Sequence, residues 1–163
     1  MVVQSRGPVE PAELDLGYLA LFLGLRVNEC VVDKMAALGF VKTRQSHGYV
    51  IEHLIEEDRT ITQLAARMEV TQQAASKVVA AMVRLGLIEM TASKDRRVKR
   101  IRLSESGWQS VKQARKVRAG IEKRLVKAVG VSVHRDARVA LMESLKELGG
   151  IGRTQSRRVK MAD

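Results

Sequence analysis

Apolar residues recur along most of this chain at helical spacing, with one short stretch of strand-like alternation past the middle. From residue 12 to 38, Leu14, Tyr18, Leu21, Phe22, Leu25, Val32 and Met35 cover much of a helix circumference, and the run ends at Gly39. A helix apolar on so many sides has to be buried against more than one neighbour. Residues 45–56 predict a second helix, with Tyr49, Val50, Ile51, Leu54 and Ile55 facing inward. A short third helix opens at Thr60-Ile61-Thr62-Gln63, the spacing at which two side chains satisfy each other's orphaned backbone N–H groups. Met68-Glu69-Val70 supplies a turn and Thr71 caps a fourth helix. There Ala75, Val78, Val79, Met82 and Leu85 follow the i, i+3, i+4, i+7 rule, and Gly86 closes the helix.

The alternation comes next. Ile88 and Met90 alternate with Glu89 and Thr91, and Ile101 and Leu103 with Arg100 and Arg102, which predicts a hairpin with an apolar face on the helices and a wet cationic face. Ser104 then caps a long helix running to about Val129, and Ser132 caps a last one carrying Val139, Met142, Leu145 and Leu148 on one stripe. The expected fold is mainly α with a small β-hairpin wing: six helices arranged as a winged helix-turn-helix. Residues 1–9 read as a flexible arm, 41–107 as the winged helix-turn-helix region, and 149–163 as a basic flexible tail. Residues 10–40 and 108–148 form a helical region with more apolar surface than so small a domain can cover. Pairing across a two-fold axis would bury the excess, so these N- and C-terminal helices are expected to form a dimer.

Charge sharpens this picture. The chain has 163 residues, is 45% hydrophobic and carries a formal net charge of +11. Residues 1–40 are net −2, while 41–127 are net +10, so the positive charge sits over the helix-turn-helix. Clustered cations of this kind neutralise phosphates and release condensed counterions. Two helices joined by a tight turn, followed by a cationic ribbon, make a shape that grips duplex DNA at two grooves.

On the fourth helix, Gln72, Gln73, Ser76 and Lys77 project opposite the apolar stripe. Glutamine can pair with adenine, serine reaches bases or phosphates, and lysine prefers guanine or phosphate. Thr71 caps the helix and can also touch a phosphate. In the wing, Lys94, Arg96, Arg97, Lys99, Arg100 and Arg102 stand against a single acid, Asp95. A hairpin tip of that charge suits a narrow minor groove, where negative potential concentrates.

Other chemistry is excluded or weak. There is no nucleophile elbow, P-loop, H-E-x-x-H or strand-borne GxGxxG, so no enzyme, cofactor or metal site is expected. His47 and His53 are six apart, on different helix faces, and His134 stands alone. The lone Cys30 rules out an internal disulfide and reads as an inert thiol. The longest uncharged apolar run near the start, Leu16 to Leu25, is half a membrane span, so no membrane partner is expected. The chain reads as cytoplasmic and associated with the nucleoid.

Three local patterns resemble the MarR family of winged helix-turn-helix transcription regulators. They are T-x-x-[EQ]-L-A-x-x-x-x-V-[ST] from Thr60 to Thr71, the wing tip Asp95-Arg96-Arg97, and the wing exit Leu103-Ser104-Glu105-Ser106-Gly107. The chain departs from the family at Glu69, where glycine is frequent, and at Ser46-His47-Gly48, where many members have a glutamine and an aromatic residue. The resemblance implies a homodimer joined by its terminal helices, reading a pseudo-palindromic operator on double-stranded DNA and acting as a repressor. It implies Arg97 as the residue inserted in the minor groove, with Asp95 pairing to an arginine. It also implies a small aromatic or phenolic effector in a crevice between dimer base and DNA-reading lobes, to which Arg26, His47 and Tyr49 would contribute polar groups. The rival reading is a nonspecific architectural DNA-binding protein, supported by the basic tail Arg153, Arg157, Arg158 and Lys160.

Overall fold

A computed structural model describes residues 9–40, 44–92 and 99–155. Their order is α1 (Leu16–Ala37), α2 (Gln45–Glu56), α3 (Ile61–Met68), α4 (Gln72–Arg84), β1 (Ile88–Ala92), β2 (Lys99–Leu103), α5 (Glu105–Val129), α6 (Val131–Glu147) and α7 (Ile151–Gln155). The six expected helices and the hairpin are present: a mainly α, winged helix-turn-helix fold. Among the described residues no helix is long and apolar enough to cross a membrane.

The main core lies under the helix-turn-helix. Leu64 and Met68 of α3 meet Val79 and Met82 of α4, Val50 and Leu54 of α2, and Ile88, Ile101 and Leu103 of the hairpin. A smaller cluster, Val31, Met35 and Ile121, fastens α1 to α5. The expectation that α1 is covered on several sides holds only for its C-terminal half. Leu16, Tyr18, Leu21, Phe22 and Leu25 are exposed on the chain by itself, as are Val139, Met142, Leu145 and Leu148 of the C-terminal region.

Several details differ from the sequence reading. Helix α1 starts at Leu16 rather than 12, because the Asp15 carboxylate accepts the Tyr18 N–H at 2.9 Å and Pro11–Glu13 form a separate 3-10 turn. Ser132 does not cap α6. Gly130, at φ 85°, ends α5 and begins α6 within one residue, a conformation that costs a residue without Cβ little, so Ser132 falls inside the first turn. Residues 151–155, read as part of a loose tail, form α7.

The wing has a third strand segment. Arg59 and Ile101 exchange backbone hydrogen bonds of 3.1 and 2.8 Å, so β2 is a central strand and β1 an edge. That explains why Ile101 is wholly buried while Met90, its partner on the same face of the edge strand, is 43% exposed and less covered than expected. The Arg59 side chain is buried and ties this corner together, donating to the His53 carbonyl at 2.9 Å and pairing with Glu56 and Glu57, each at 2.8 Å.

Candidate nucleic-acid interface

Local capping sets the angle between α3 and α4. The Thr60 hydroxyl accepts the Gln63 N–H at 3.2 Å while the Gln63 side chain accepts the Thr60 N–H at 2.9 Å, and the Thr71 hydroxyl accepts the Ala74 N–H at 3.1 Å. Between them Glu69 adopts the left-handed conformation at φ 55°, the one non-glycine residue among those described to do so. A left-handed residue at this point lets the chain reverse sharply out of α3, which is the physical reason glycine suits the position.

Helix α4 buries Ala75, Val79 and Met82 and leaves Thr71, Gln72, Gln73 and Lys77 exposed, with Ser76 half-buried. Gln72 is not a free amide: its Nε2 donates to the Thr62 hydroxyl at 3.2 Å, bracing α4 against α3. Gln73 and Lys77 have no such tie. Arg84, which sequence reasoning passed over, is exposed too and stands eleven residues beyond Gln73, close to three whole turns, so it extends the same face. The signal for it was available in the helical period.

On the hairpin, Lys99 and Arg100 are exposed at the start of β2, next to the wing loop, and Arg100 donates to the Asp58 carbonyl at 3.2 Å. Arg102 pairs across the strands with Glu89 at 2.6 Å. The tip residues Lys94, Asp95, Arg96 and Arg97 lie outside the described residues.

A crevice of about 140 Å³ opens between α1, α2 and α5. It is lined by Asn28, Val31, Val32 and Met35 of α1, by Arg44 and by His47, Gly48, Ile51, Glu52 and Ile55 of α2, and by Ser110, Val111, Ala114, Arg115 and Arg118 of α5. Of the three polar contributors expected, His47 lines it, and Arg26 and Tyr49 do not. Arg26 stands two residues from Asn28, more than half a turn away, and pairs with Glu29 at 2.8 Å, while Tyr49 stands two residues from both His47 and Ile51 and so points off their side of α2. The arginines at 44, 115 and 118 were missed, because which face of α2 and α5 meets the crevice is set by packing.

His47 is 4% exposed, and its Nδ1 accepts the Arg44 N–H at 3.1 Å, serving as the cap of α2. An accepting Nδ1 requires the neutral ring. Burial, then the nearby Arg44 charge, holds its pKa below the ordinary value. His53 is shifted the same way, by burial first and then by Arg59 and Arg67. A histidine that resists protonation in the fold lets the unfolded chain take up more protons below about pH 6.5, so acid favours unfolding. The thermal midpoint is therefore expected to hold above pH 7 and to fall by several degrees on acidification toward pH 5.5. His47→Gln keeps a side chain suited to the cap and cannot titrate, so its profile should be flatter. Identical profiles for the two proteins would show that His47 carries none of the effect.

Among the described residues no group of three or more His, Cys, Asp or Glu side chains could hold a metal ion. Comparison with known proteins adds the following. MepR, a transcription regulator of the Staphylococcus aureus multidrug efflux pump MepA, is similar at 18% identity and a TM-score of 0.68, over 83% of this chain and 99% of that one. YusO of Bacillus subtilis is similar at 21% identity and a TM-score of 0.65, over 80% and 91% of the two chains. A Staphylococcus aureus MepR variant bound to an oligodeoxyribonucleotide is similar at 20% identity and a TM-score of 0.61, over 83% and 99%. No curated protein matches the chain. Residues 43–97 match the model of the MarR family. The segment that builds the helix-turn-helix and the start of the wing is thus similar in sequence to the MarR family, and it is carried on a winged helix-turn-helix fold shared with MepR and YusO.

Proposed function

We propose that this chain is a sequence-specific, double-stranded DNA-binding transcriptional regulator that works as a homodimeric repressor on the nucleoid in the cytoplasm. The observation that carries the reading is the outward face of α4: Gln73 and Lys77 stand exposed opposite a fully buried stripe, on a helix braced at both ends of its turn. A helix so presented can enter the major groove, where glutamine and lysine read base edges and phosphates. Lys99 and Arg100 beside the wing loop, with Lys94, Arg96 and Arg97 of its tip and Asp95 pairing to an arginine there, take the adjacent minor groove. The MepR variant bound to an oligodeoxyribonucleotide supports a DNA partner for a protein of this fold.

Residues 10–40 and 108–148 pair two chains. The exposed apolar faces of α1 and α6 support this, since unpartnered surface of that extent marks an association site. A two-fold dimer presents two α4 helices to a pseudo-palindromic site. The crevice beside His47 takes a small aromatic or phenolic effector, for which it offers apolar walls with Arg44, Arg115 and Arg118 among the lining residues. An effector releases DNA only through a higher affinity for the spacing of the lobes that does not fit DNA.

Selection of bound fragments from random genomic DNA, followed by footprinting of the winners, tests the function. An enriched inverted repeat protected on one face of the duplex is the expected result. Fragments with no common sequence would reject operator choice in favour of an architectural role.

A further inference from the structure

Helix α5 carries seven basic and two acidic residues, nearly half of the chain's net positive charge, and none of them is on the face of α4 or on the wing. Four of these, Lys112, Lys116, Lys123 and Lys127, are spaced i, i+4, i+11 and i+15, close to one, three and four whole turns, so they share one side of the helix. That side is turned away from the core. Ile121, buried against Val31 and Met35, stands nine residues from Lys112, two and a half turns round. All four lysines are exposed on the single chain, away from the apolar faces of α1 and α6 that would pair two copies, and none forms an ion pair with a described carboxylate. Past the first turn the one acid on α5, Glu122, is engaged with His134 and Arg138 of α6.

The spacing is unfavourable for the helix alone. Like charges four apart repel, and Lys112–Lys116 and Lys123–Lys127 are two such pairs without an ion-pair partner among the described residues. An external polyanion would neutralise them. The row is straight and spans about 22 Å at about 1.5 Å per residue. That length corresponds to about six base pairs of duplex at about 3.4 Å each. A lipid surface fits less well, because a membrane-binding helix needs bulky apolar residues along the length of its cationic row, and this side offers Trp108 at one end and otherwise Ala119.

We infer that the outward side of α5 is a second DNA-binding surface, which takes duplex phosphates without regard to sequence, apart from the α4 and wing contacts. It rests on the reading of the chain as a DNA-binding protein. Through it one protein holds DNA beyond its operator, or a second segment of the same DNA.

The test is a full-length variant with Lys112, Lys116, Lys123 and Lys127 all changed to glutamine, a residue of similar helix propensity. Binding to a long duplex of unrelated sequence is measured over a salt series, beside the wild type and a Gln73→Ala/Lys77→Ala variant. At about 0.9 per phosphate contact, the four-site variant should show a log–log salt slope shallower by about three to four per protomer and an affinity at least about tenfold weaker at low salt. The α4 variant should lose at most about one unit of slope on this duplex, from Lys77, while losing its choice of sequence on the selected sites. An unchanged slope in a four-site variant with wild-type circular dichroism and thermal midpoint would overturn the inference. So would loss of binding to anionic vesicles or to double-stranded RNA with the DNA slope intact. Either result leaves the reading of α4 standing, and an α4 variant that chooses among sequences as the wild type does would fail that reading alone.

Discussion

Gly107→Ala is expected to destabilise the fold by about 3 kcal/mol, at the upper end of what overpacking costs. A Cβ at this position would lie 2.1 Å from the Leu87 carbonyl oxygen and 3.2 Å from a Leu103 methyl. The nearer atom is backbone, so no side-chain rotation relieves the clash. Alanine's intrinsic advantage in a helix, about 1 kcal/mol over glycine, is too small to offset it. The strain falls on a joint with a mechanical role. The Ser104 hydroxyl accepts the Gly107 N–H at 3.0 Å and donates to the Gly86 carbonyl at 2.5 Å, and the Ser104 N–H donates to the Leu87 carbonyl at 3.1 Å. These bonds lock the end of α4 to the start of α5 and thereby set the wing beside α4. Urea unfolding should show a lower midpoint with an unchanged slope, together with weaker DNA binding. A stability loss below about 1 kcal/mol would mean that α5 crosses Leu87 less closely than described.

Gln73→Ala with Lys77→Ala should lower affinity for the selected operator by about a hundredfold. Each good contact to a base edge is worth roughly 1–3 kcal/mol, and 1.4 kcal/mol is about tenfold in affinity. The fold should be untouched, because both side chains are exposed and alanine favours the helix. Gln72→Ala is a useful contrast. One of its amide N–H groups is held by Thr62, so its loss should loosen the α3–α4 brace by about 1 kcal/mol, an effect on the melt that the double variant lacks. Operator titrations and thermal melts of the three proteins separate these outcomes. A double variant that binds its operator as the wild type does would remove α4 from the interface.

Much of this site was legible because it is local. Caps at Thr60, Thr71 and Ser104 depend on residues three positions apart, and each is made by the atoms expected. Arg59 was not legible as a strand residue. Its pairing with Ile101 joins positions far apart in the chain, and one residue has no alternation to read. Arg26 and Tyr49 fell away from the crevice for a related reason: polarity and proximity in sequence say nothing of which helix face another helix will meet.

The amino-acid sequence by itself determined α1 to α6 and the hairpin, the caps at Thr60, Thr71 and Ser104, and the division of α4 into an apolar stripe and a side bearing Gln73 and Lys77, since each is settled within a few turns of backbone. Only the tertiary structure decided that this side stays open, that Gln72 braces α4 against Thr62 and that His47 and three arginines meet at one crevice. It also decided that the lysines of α5 face away from the core. Exposure depends on which distant segments arrive to cover a surface, and that is fixed by packing among elements rather than by the order of residues within one.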